Sequence, residues 1–551
     1  MALALALRLW ALGENPPGLD SDEASIGYNA YAIARTGRDE HGSVLPLAFE
    51  AFGEFKRPAY IYAAAPFVGL LGLSPFSVRL PAALFGALSV LAIYRVALRL
   101  LANRRQALIA AGLLAISPWH LQFTRAAREV SLLVLALLVM VCCLLEVLTR
   151  VDAPGRGVVS VPVARRQTRW LAGGAAAFLV AVYAYPGALA LAPLLALAVL
   201  LAYSPAVRSL ERGAALVACL VLVGGALPLV VQVADGRART RLDQASLLND
   251  PALRERSEAR VARERAAGGL GLLQGQLASV AGEAVAGYLA HFDPSYLFTR
   301  GDAEPRHRSS DVAHLYLWDA PLVLAGLYTL VRRRHAAPMR ALGGWLVVAP
   351  LPAALAQNAP HAVRSIGLLP AFTLLAAAGA PPLWRWLRTH HFHKDWLLLL
   401  ALSVGFYLYG FHRLYPLEHG RAWNAGMLEG YRAAAALADE PSDPFRRVVI
   451  PEEMGLSYVY ALFGTKYDPA AYLKQGGTHT ESVGDGVLVR MTFEPFEVRH
   501  VDWRTEPRDP AVLYVLDGPA HAPAGTEQIH VARGPNAEPI LQLIRFSAGR
   551  A

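Results

Sequence analysis

The stretch GLDSDEASIGYNAYAIARTGRDEHG, residues 18–42, carries five carboxylates directly after an apolar N-terminus: Asp20, Asp22, Glu23, Asp39 and Glu40. One of them is enough to start the helix that the next residues predict. Asp20 or Asp22 can cap it, and Gly37 can end it. Five are more than a cap needs, and carboxylates held beside hydrocarbon are costly unless they are paired or used. A little further on, GEFKRPAYIYAAAP sets Lys56 and Arg57 beside Pro58, Tyr60 and Tyr62. Two cations followed by tyrosines at a lipid boundary are either an interfacial anchor or a holder for an anionic lipid headgroup.

The elements that must position these residues are set by composition. Of 551 residues, 55% are hydrophobic and 17% charged. Soluble domains carry about 25% charged residues, so the chain reads as a polytopic membrane protein. The net charge of +9 sits largely in short loops between apolar runs, which fits the positive-inside rule and excludes a nucleic-acid face. Cys142, Cys143 and Cys219 fall inside apolar runs and read as small hydrophobes, not as disulfides or metal ligands. No secretory cleavage site is evident.

Apolar runs occupy 79–100, 106–119, 130–149, 170–185, 187–202, 213–233, 313–331, 341–357, 362–384 and 396–411. Five basic turns separate them: Arg99, Arg104 and Arg105; Arg150, Arg156, Arg165, Arg166 and Arg169; Arg208 and Arg212; Arg332, Arg333 and Arg334; Arg385, Arg388 and Lys394. Placing all five in the cytoplasm lets every span alternate. Residues 58–74 then lie in, or dip into, the outer leaflet, because counting them as a span would move Arg104 and Arg105 outside. Residues 1–12 reach about 18 Å as a helix, against a hydrocarbon core of about 30 Å, so they are a truncated span or a half-span.

The expected fold class is therefore mostly α, with about eleven transmembrane helices in residues 1–412. The acidic loop 13–78 and a long loop 234–312, amphipathic over 270–292, lie outside. Beyond residue 412, short runs such as RRVVIP, GVLVRMTF and AVLYVLD predict strands in a small extracytoplasmic α+β domain, 413–551. No internal repeat is evident.

Taken in order, the motifs resemble those of a known superfamily. Asp22–Glu23, DEHG, KRPAYIY and RLPAALFGALSVLAIYRVALRL are followed by SPWHLQFTRAARE, AYPGALALAPLL, HFDPSYLF and LPAALAQNAPHAVRS. The series is similar to the GT-C glycosyltransferases that use lipid-linked sugars. The nearest groups are the bacterial relatives of protein mannosyltransferases (glycosyltransferase family 39) and the lipid A aminoarabinose transferase. In the tail, YALFGTKYDPAAYL looks like members with an appended extracytoplasmic domain.

That resemblance implies a polyprenyl-phosphate sugar donor, an acceptor hydroxyl on protein, lipid or glycan, and a catalytic acid in the first outer loop. Polyprenyl phosphate is a good leaving group, so one carboxylate suffices, unlike the pair that glycoside hydrolysis needs. Asp22 is the expected base, and Glu23 would orient it or the acceptor, or help hold a divalent cation. No other cofactor is implied. Positive charge must meet the phosphate as the bond breaks. Lys56 and Arg57 are nearest in sequence, Arg125 and Arg128 next, with Glu129 where relatives often carry an acid. By spacing alone, Arg125, Arg128 and Glu129 lie a helical turn apart and would simply pair. His361 and Arg364 would sit on the first turn of a span after Pro360, where an anion meets both side chains and free backbone N–H groups. Interfacial snorkelling is the alternative for them. His291 and Asp293 read as loop or core packing.

Two other classes compete. A transporter or lipid flippase also needs many spans, but tends to place its charges near the bilayer midplane, not at one surface. A membrane sensor would make the acidic loop dispensable.

Overall fold

The computed structural model describes residues 1–150, 161–234, 246–267, 275–308, 312–413, 419–440, 445–483, 486–534 and 537–547. Arg156, part of the predicted 234–312 loop and the first residues of its amphipathic stretch lie outside the described residues. The chain is mostly helical, with a small sheet region. From the N-terminus come α1 (Ala2–Leu9), α2 (Ser21–Thr36), a hairpin of β1 (Phe49–Ala51) and β2 (Glu54–Lys56), and α3 (Pro58–Leu71). Next are α4 (Pro75–Leu101), α5 (Arg104–Ile116), α6 (Pro118–Thr124), α7 (Glu129–Leu148) and α8 (Val161–Ala184).

Local chemistry sets these boundaries. Gly37 ends α2 in the left-handed conformation, at φ 68°, that only glycine adopts freely. Pro58 occupies the first position of α3, where its missing N–H costs nothing. The Asn103 side chain caps α5 by accepting from the Arg105 and Gln106 amides.

Among the described residues, four helices are each long and apolar enough to cross a bilayer: Pro75–Leu101, Glu129–Leu148, Arg212–Gln232 and His393–Phe411. With α6, bent from it by 56°, α5 makes a fifth candidate. Some of the other predicted runs fall on shorter helices. Ala188–Ala202 has 15 residues and Ala337–Val348 has 12, which reach about 22 and 18 Å at 1.5 Å per residue.

The chain divides into two compact units. One comprises Met1–Arg8, Ala82–Thr124 and Arg128–Gly410 and is helical. Two of its helices, Asp319–Arg332 and Leu368–Thr389, approach closely. A Cβ on Gly326 would stand 2.1 Å from the Leu375 carbonyl oxygen, and one on Gly379 the same distance from that of Leu322. Small residues thus let the two backbones touch, the packing that apolar helices use when no hydrophobic difference drives them together.

The other unit comprises Leu9–Pro81, Arg125–Ala127 and Phe411–Ala551, so it includes the acidic loop. It contains β3 (Arg447–Pro451), β4 (Thr480–Val483), β5 (Gly486–Val489), β6 (Met491–Phe493), β7 (Phe496–Arg499), β8 (Val512–Asp517), β9 (Thr526–Arg533) and β10 (Pro539–Phe546). Six form one sheet in the order β6-β7-β3-β8-β10-β9, with β3 parallel to both neighbours. One face packs Val449, Tyr514, Leu516, Ile544 and Phe546 into a core. Helix His419–Ala438 lies against the sheet, with Gly426 and Gly430 leaving room for Ile540 and Leu541. In α2, Gly27 is needed where a Cβ would stand 2.6 Å from the Phe463 ring and 2.8 Å from Val78.

Candidate active site

Asp20 is the N-cap of α2, and its side chain accepts from the Glu23 amide at 2.9 Å while the Glu23 carboxylate accepts from the Asp20 amide. This is a capping box built with Asp instead of Ser or Thr. Because Asp20 takes the capping role, Asp22 is left for other work. Asp22 sits in the first turn, where the helix dipole favours a carboxylate. Its Oδ1 lies 2.6 Å from Lys56 Nζ at the end of β2; Asp22 is 32% exposed and Lys56 4%. A carboxylate held by a buried ammonium, yet still open to an incoming molecule, is what a positioned base needs.

Its neighbour is buried. Glu23 is 1% exposed and makes a two-pronged ion pair with Arg79, Nε to Oε1 at 2.8 Å and Nη2 to Oε2 at 2.9 Å. The Ala127 amide donates to Oε1 at 2.7 Å. The same guanidinium holds the carbonyls of Leu12, Pro16 and Gly18 at 3.3, 2.7 and 2.6 Å. The pair therefore ties the start of the loop to the foot of α4 and to residues 125–127. Sequence reading gave Glu23 an orienting or cation-binding role and did not single out Arg79. Here Glu23 is a strut, its oxygens taken up by Arg79 and by backbone amides.

The other acids of the loop are also structural. Asp39 accepts from the His41 and Ser43 amides, closing a tight turn, while burial pushes its carboxyl up from the ordinary range. Buried Glu40 accepts from Asn29 Nδ2 at 2.7 Å, Tyr458 OH at 2.8 Å and Thr478 Oγ1 at 3.0 Å. It joins α2 to the C-terminal segment within the same unit.

The expected phosphate-binding cations divide between the units. Lys56, Arg57 and Arg125 belong to the unit that holds Asp22 and Glu23; Arg128, Glu129, His361 and Arg364 belong to the helical one. Arg57 is the buried N-cap residue of α3. Buried Arg125 donates to the Asn15 carbonyl at 2.9 Å, its guanidinium 5.1 Å over the Phe411 ring. The helical-turn pairing predicted for Arg125, Arg128 and Glu129 does not form. The chain leaves the helix after Thr124 and restarts it at Glu129, so Arg128 is an N-cap residue and Glu129 a first-turn acid.

His361 and Arg364 likewise precede the helix that was expected to carry them, since Leu368 is its first residue. They lie in a run of turns because local partners compete for the backbone: Ala362 N–H donates to Asp302 Oδ2 at 2.6 Å, and Arg364 Nη1 donates to the Gln357 carbonyl. Asp302 Oδ2 is 3.3 Å from His307 Nδ1, and the rings of His307 and His361 are 4.6 Å apart. His291 accepts the His361 amide at 3.4 Å, as expected of a packing residue.

Burial alone would raise the Asp302 carboxyl. The hydrogen bonds from His307 and from the Ala362 and Glu304 amides outweigh it and hold the carboxyl well below its ordinary range. Burial, with the nearby His307 and Arg364, lowers His361 to about 3. Asp302 is thus ionised and His361 neutral at neutral pH, the forms in which each can ligate a metal. The ligand atoms of Asp302, His307 and His361 lie within 4.8 Å of one another, the one such group of three among the described residues. Two imidazoles and a carboxylate suit a divalent cation with open coordination positions. Their separation in sequence hid this group.

Residues 1–232 match the family model described as dolichyl-phosphate-mannose-protein mannosyltransferase. The fold is shared with ArnT from Cupriavidus metallidurans, whose structure bound to undecaprenyl phosphate is 14% identical, covers 98% of this chain and 96% of its own, and has a TM-score of 0.54. The apo form of that protein gives 15%, 98%, 96% and 0.52. The family match thus lies in less than half of the chain, and the likeness to ArnT is one of fold. The oligosaccharyltransferase of Archaeoglobus fulgidus, tethered to an acceptor peptide, is 13% identical, with 84% of this chain covered and a TM-score of 0.50. The chain described here spans 62% of the length of that protein. No curated protein sequence matches it.

Proposed function

We propose that this protein is a membrane glycosyltransferase of the GT-C type that moves a sugar from a polyprenyl-phosphate donor to an acceptor hydroxyl at the outer face of the cell membrane, with Asp22 as the base. The observation that carries the assignment is the contrast between adjacent acids: Asp22 is partly open beside Lys56, and Glu23 is sealed by Arg79. The acceptor oxygen attacks the anomeric carbon, the bond to the lipid phosphate breaks, and the hydroxyl proton passes to Asp22. Lys56 positions Asp22 through the 2.6 Å contact in the resting site and is the cation nearest to hand when a phosphate enters. Arg57, Arg125, Arg128 and Arg364 are the further candidates for that anion, and Glu129 for contacts to the sugar.

Asp302, His307 and His361 would hold a divalent cation, which supplies positive charge where it binds. The helices would make about eleven spans across the inner membrane, with the acidic loop, the 234–312 loop and residues 413–551 outside. The match to the family model and the fold shared with ArnT support this reading.

The test is to incubate purified protein with a panel of polyprenyl-phosphate sugars and measure released polyprenyl phosphate. Release from at least one donor by the parent, and its loss in Asp22→Asn, are expected. An Asp22→Asn enzyme with parental turnover would remove the base assignment.

A further inference from the structure

Glu146, one turn from the end of α7, is 1% exposed and surrounded by four guanidiniums. Arg99 grips it with two prongs, Nε to Oε1 at 2.9 Å and Nη2 to Oε2 at 2.7 Å. Arg150 Nη2 reaches Oε2 at 2.8 Å, Arg95 Nη2 reaches Oε1 at 3.5 Å, and Arg166 Nη2 lies 3.9 Å from Oε2. Arg95 and Arg99 stand one turn apart on α4, Arg150 just follows α7, and Arg166 comes from α8. Three chain segments have brought these charges to one rim of the helical unit, at the same end of two candidate membrane spans.

Among the described residues of this cluster one carboxylate meets four guanidiniums, so three positive charges remain in excess. The Arg99 fork and Arg150 largely occupy its lone pairs. Arg95, Arg150 and Arg166 remain 48%, 40% and 45% exposed, and each guanidinium has five N–H donors, few of them used on Glu146. Like charges gathered at a lipid boundary are unfavourable unless an anion joins them, and guanidiniums match phosphate oxygens in forked pairs.

We propose that Arg95, Arg150 and Arg166, arrayed on Glu146, form a binding site for the phosphate of an anionic membrane phospholipid. Glu146 is a positioning residue there: it gathers the guanidiniums and leaves their outer donors for the headgroup. The site is independent of the sugar-transfer chemistry and of which membrane face it occupies.

The test uses the full chain in nanodiscs, with lipid retention read by native mass spectrometry and thermal midpoint by intrinsic fluorescence. The parent should retain phosphatidylglycerol over phosphatidylcholine, and its midpoint should rise with phosphatidylglycerol content. Arg95→Gln/Arg166→Gln should retain several-fold less. The same change at Arg104 and Arg105, basic but outside the cluster, should leave retention at the parental level. If the double variant fails to fold, Arg166→Gln alone, farthest from Glu146, carries the comparison. Inorganic phosphate at matched ionic strength is the second arm. Equal stabilisation by inorganic phosphate would overturn the lipid assignment. Parental retention by the cluster variants, or equal loss in the Arg104/Arg105 variant, would overturn the site.

Discussion

The first turn of α2 and the turns around Asp302 both anchor a carboxylate on backbone amides, but they balance its charge differently. At α2 the partners are the Lys56 ammonium and the Arg79 guanidinium. Around Asp302 the partners are imidazoles, His307 in contact and His361 beside it, and burial keeps His361 neutral. The first arrangement pairs each carboxylate with a cation, leaving Asp22 32% exposed and burying Glu23. The second sets a carboxylate among imidazoles, a donor set that suits a metal ion.

The contrast within the α2 turn breaks first under substitution at Asp22. Asp22→Asn keeps shape and leaves the cap at Asp20 untouched. It should slow sugar transfer about 10² to 10⁴-fold, the usual worth of a positioned general base, with a smaller fall in melting temperature than removing the fully buried Arg79 causes, since the partner it weakens is Lys56. A lower melting temperature at parental turnover would make Asp22 the structural acid.

Arg79→Met should do the reverse. It removes the two-pronged guanidinium partner of buried Glu23, a loss worth about 3–5 kcal/mol of stability. The melting temperature should fall steeply, and Glu23→Gln added to Arg79→Met should recover part of it, because the buried charge is gone. An Arg79→Met protein that melts like the parent would show that Glu23 does not depend on that pair.

Lys56→Ala and Arg57→Ala test whether these two cations also serve the donor. Each should weaken binding of polyprenyl phosphate by about 1.5–3 kcal/mol, the worth of a hydrogen bond to a charged group. Parental binding in both variants would pass the phosphate to Arg125, Arg128 or Arg364.

The Asp302 region should show itself through pH, measured with chelator present. His361 is lowered from 6.5 to about 3, so the folded protein binds its proton more weakly than the unfolded chain does. Its contribution to stability is complete above pH 6.5 and is lost as pH falls toward 3. Asp302 is lowered from 3.8, so its contribution is lost at still more acid pH. Both push the same way. The melting temperature should decline below about pH 6.5, and His361→Asn should flatten the upper part of that decline. At neutral pH, added Zn²⁺ or Mn²⁺ should raise the parental melting temperature but not that of His307→Ala. A flat profile, or equal metal shifts in both proteins, would return the cluster to plain packing.

What the sequence made legible follows from the range of the interactions. The Asp20 cap, the Gly37 stop and the strands β3, β6 and β8 are local, and each could be read from neighbouring residues. The Glu23–Arg79 pair spans 56 residues and Asp302 reaches Ala362 across 60, so neither spacing carried a signal. Arg79 was hidden further because it lies at the head of an apolar run, where a lone arginine reads as a boundary. The spacing of Arg125, Arg128 and Glu129 misled because the rule assumed one continuous helix, and the chain breaks it between Thr124 and Glu129. The candidate residues were visible by type; the long-range partners that bury Glu23 and leave Asp22 partly exposed were not.

The smallest effect belongs to Glu40, and it sharpens the comparison most. Like Asp22 it is a carboxylate in the acidic loop, but its partners are the neutral groups of Asn29, Tyr458 and Thr478. In Glu40→Gln one oxygen still accepts, and the new amide can donate to a hydroxyl, which serves as donor or acceptor. The change should cost about 1 kcal/mol or less, the net worth of one neutral hydrogen bond, with turnover near parental. Glu40→Ala strands buried polar groups at about 1–3 kcal/mol each and should lower the melting temperature clearly. Turnover and melting temperature measured side by side decide the matter. If Glu40→Gln loses as much turnover as Asp22→Asn at an unchanged melting temperature, the proton goes to Glu40, and the exposure of Asp22 is incidental.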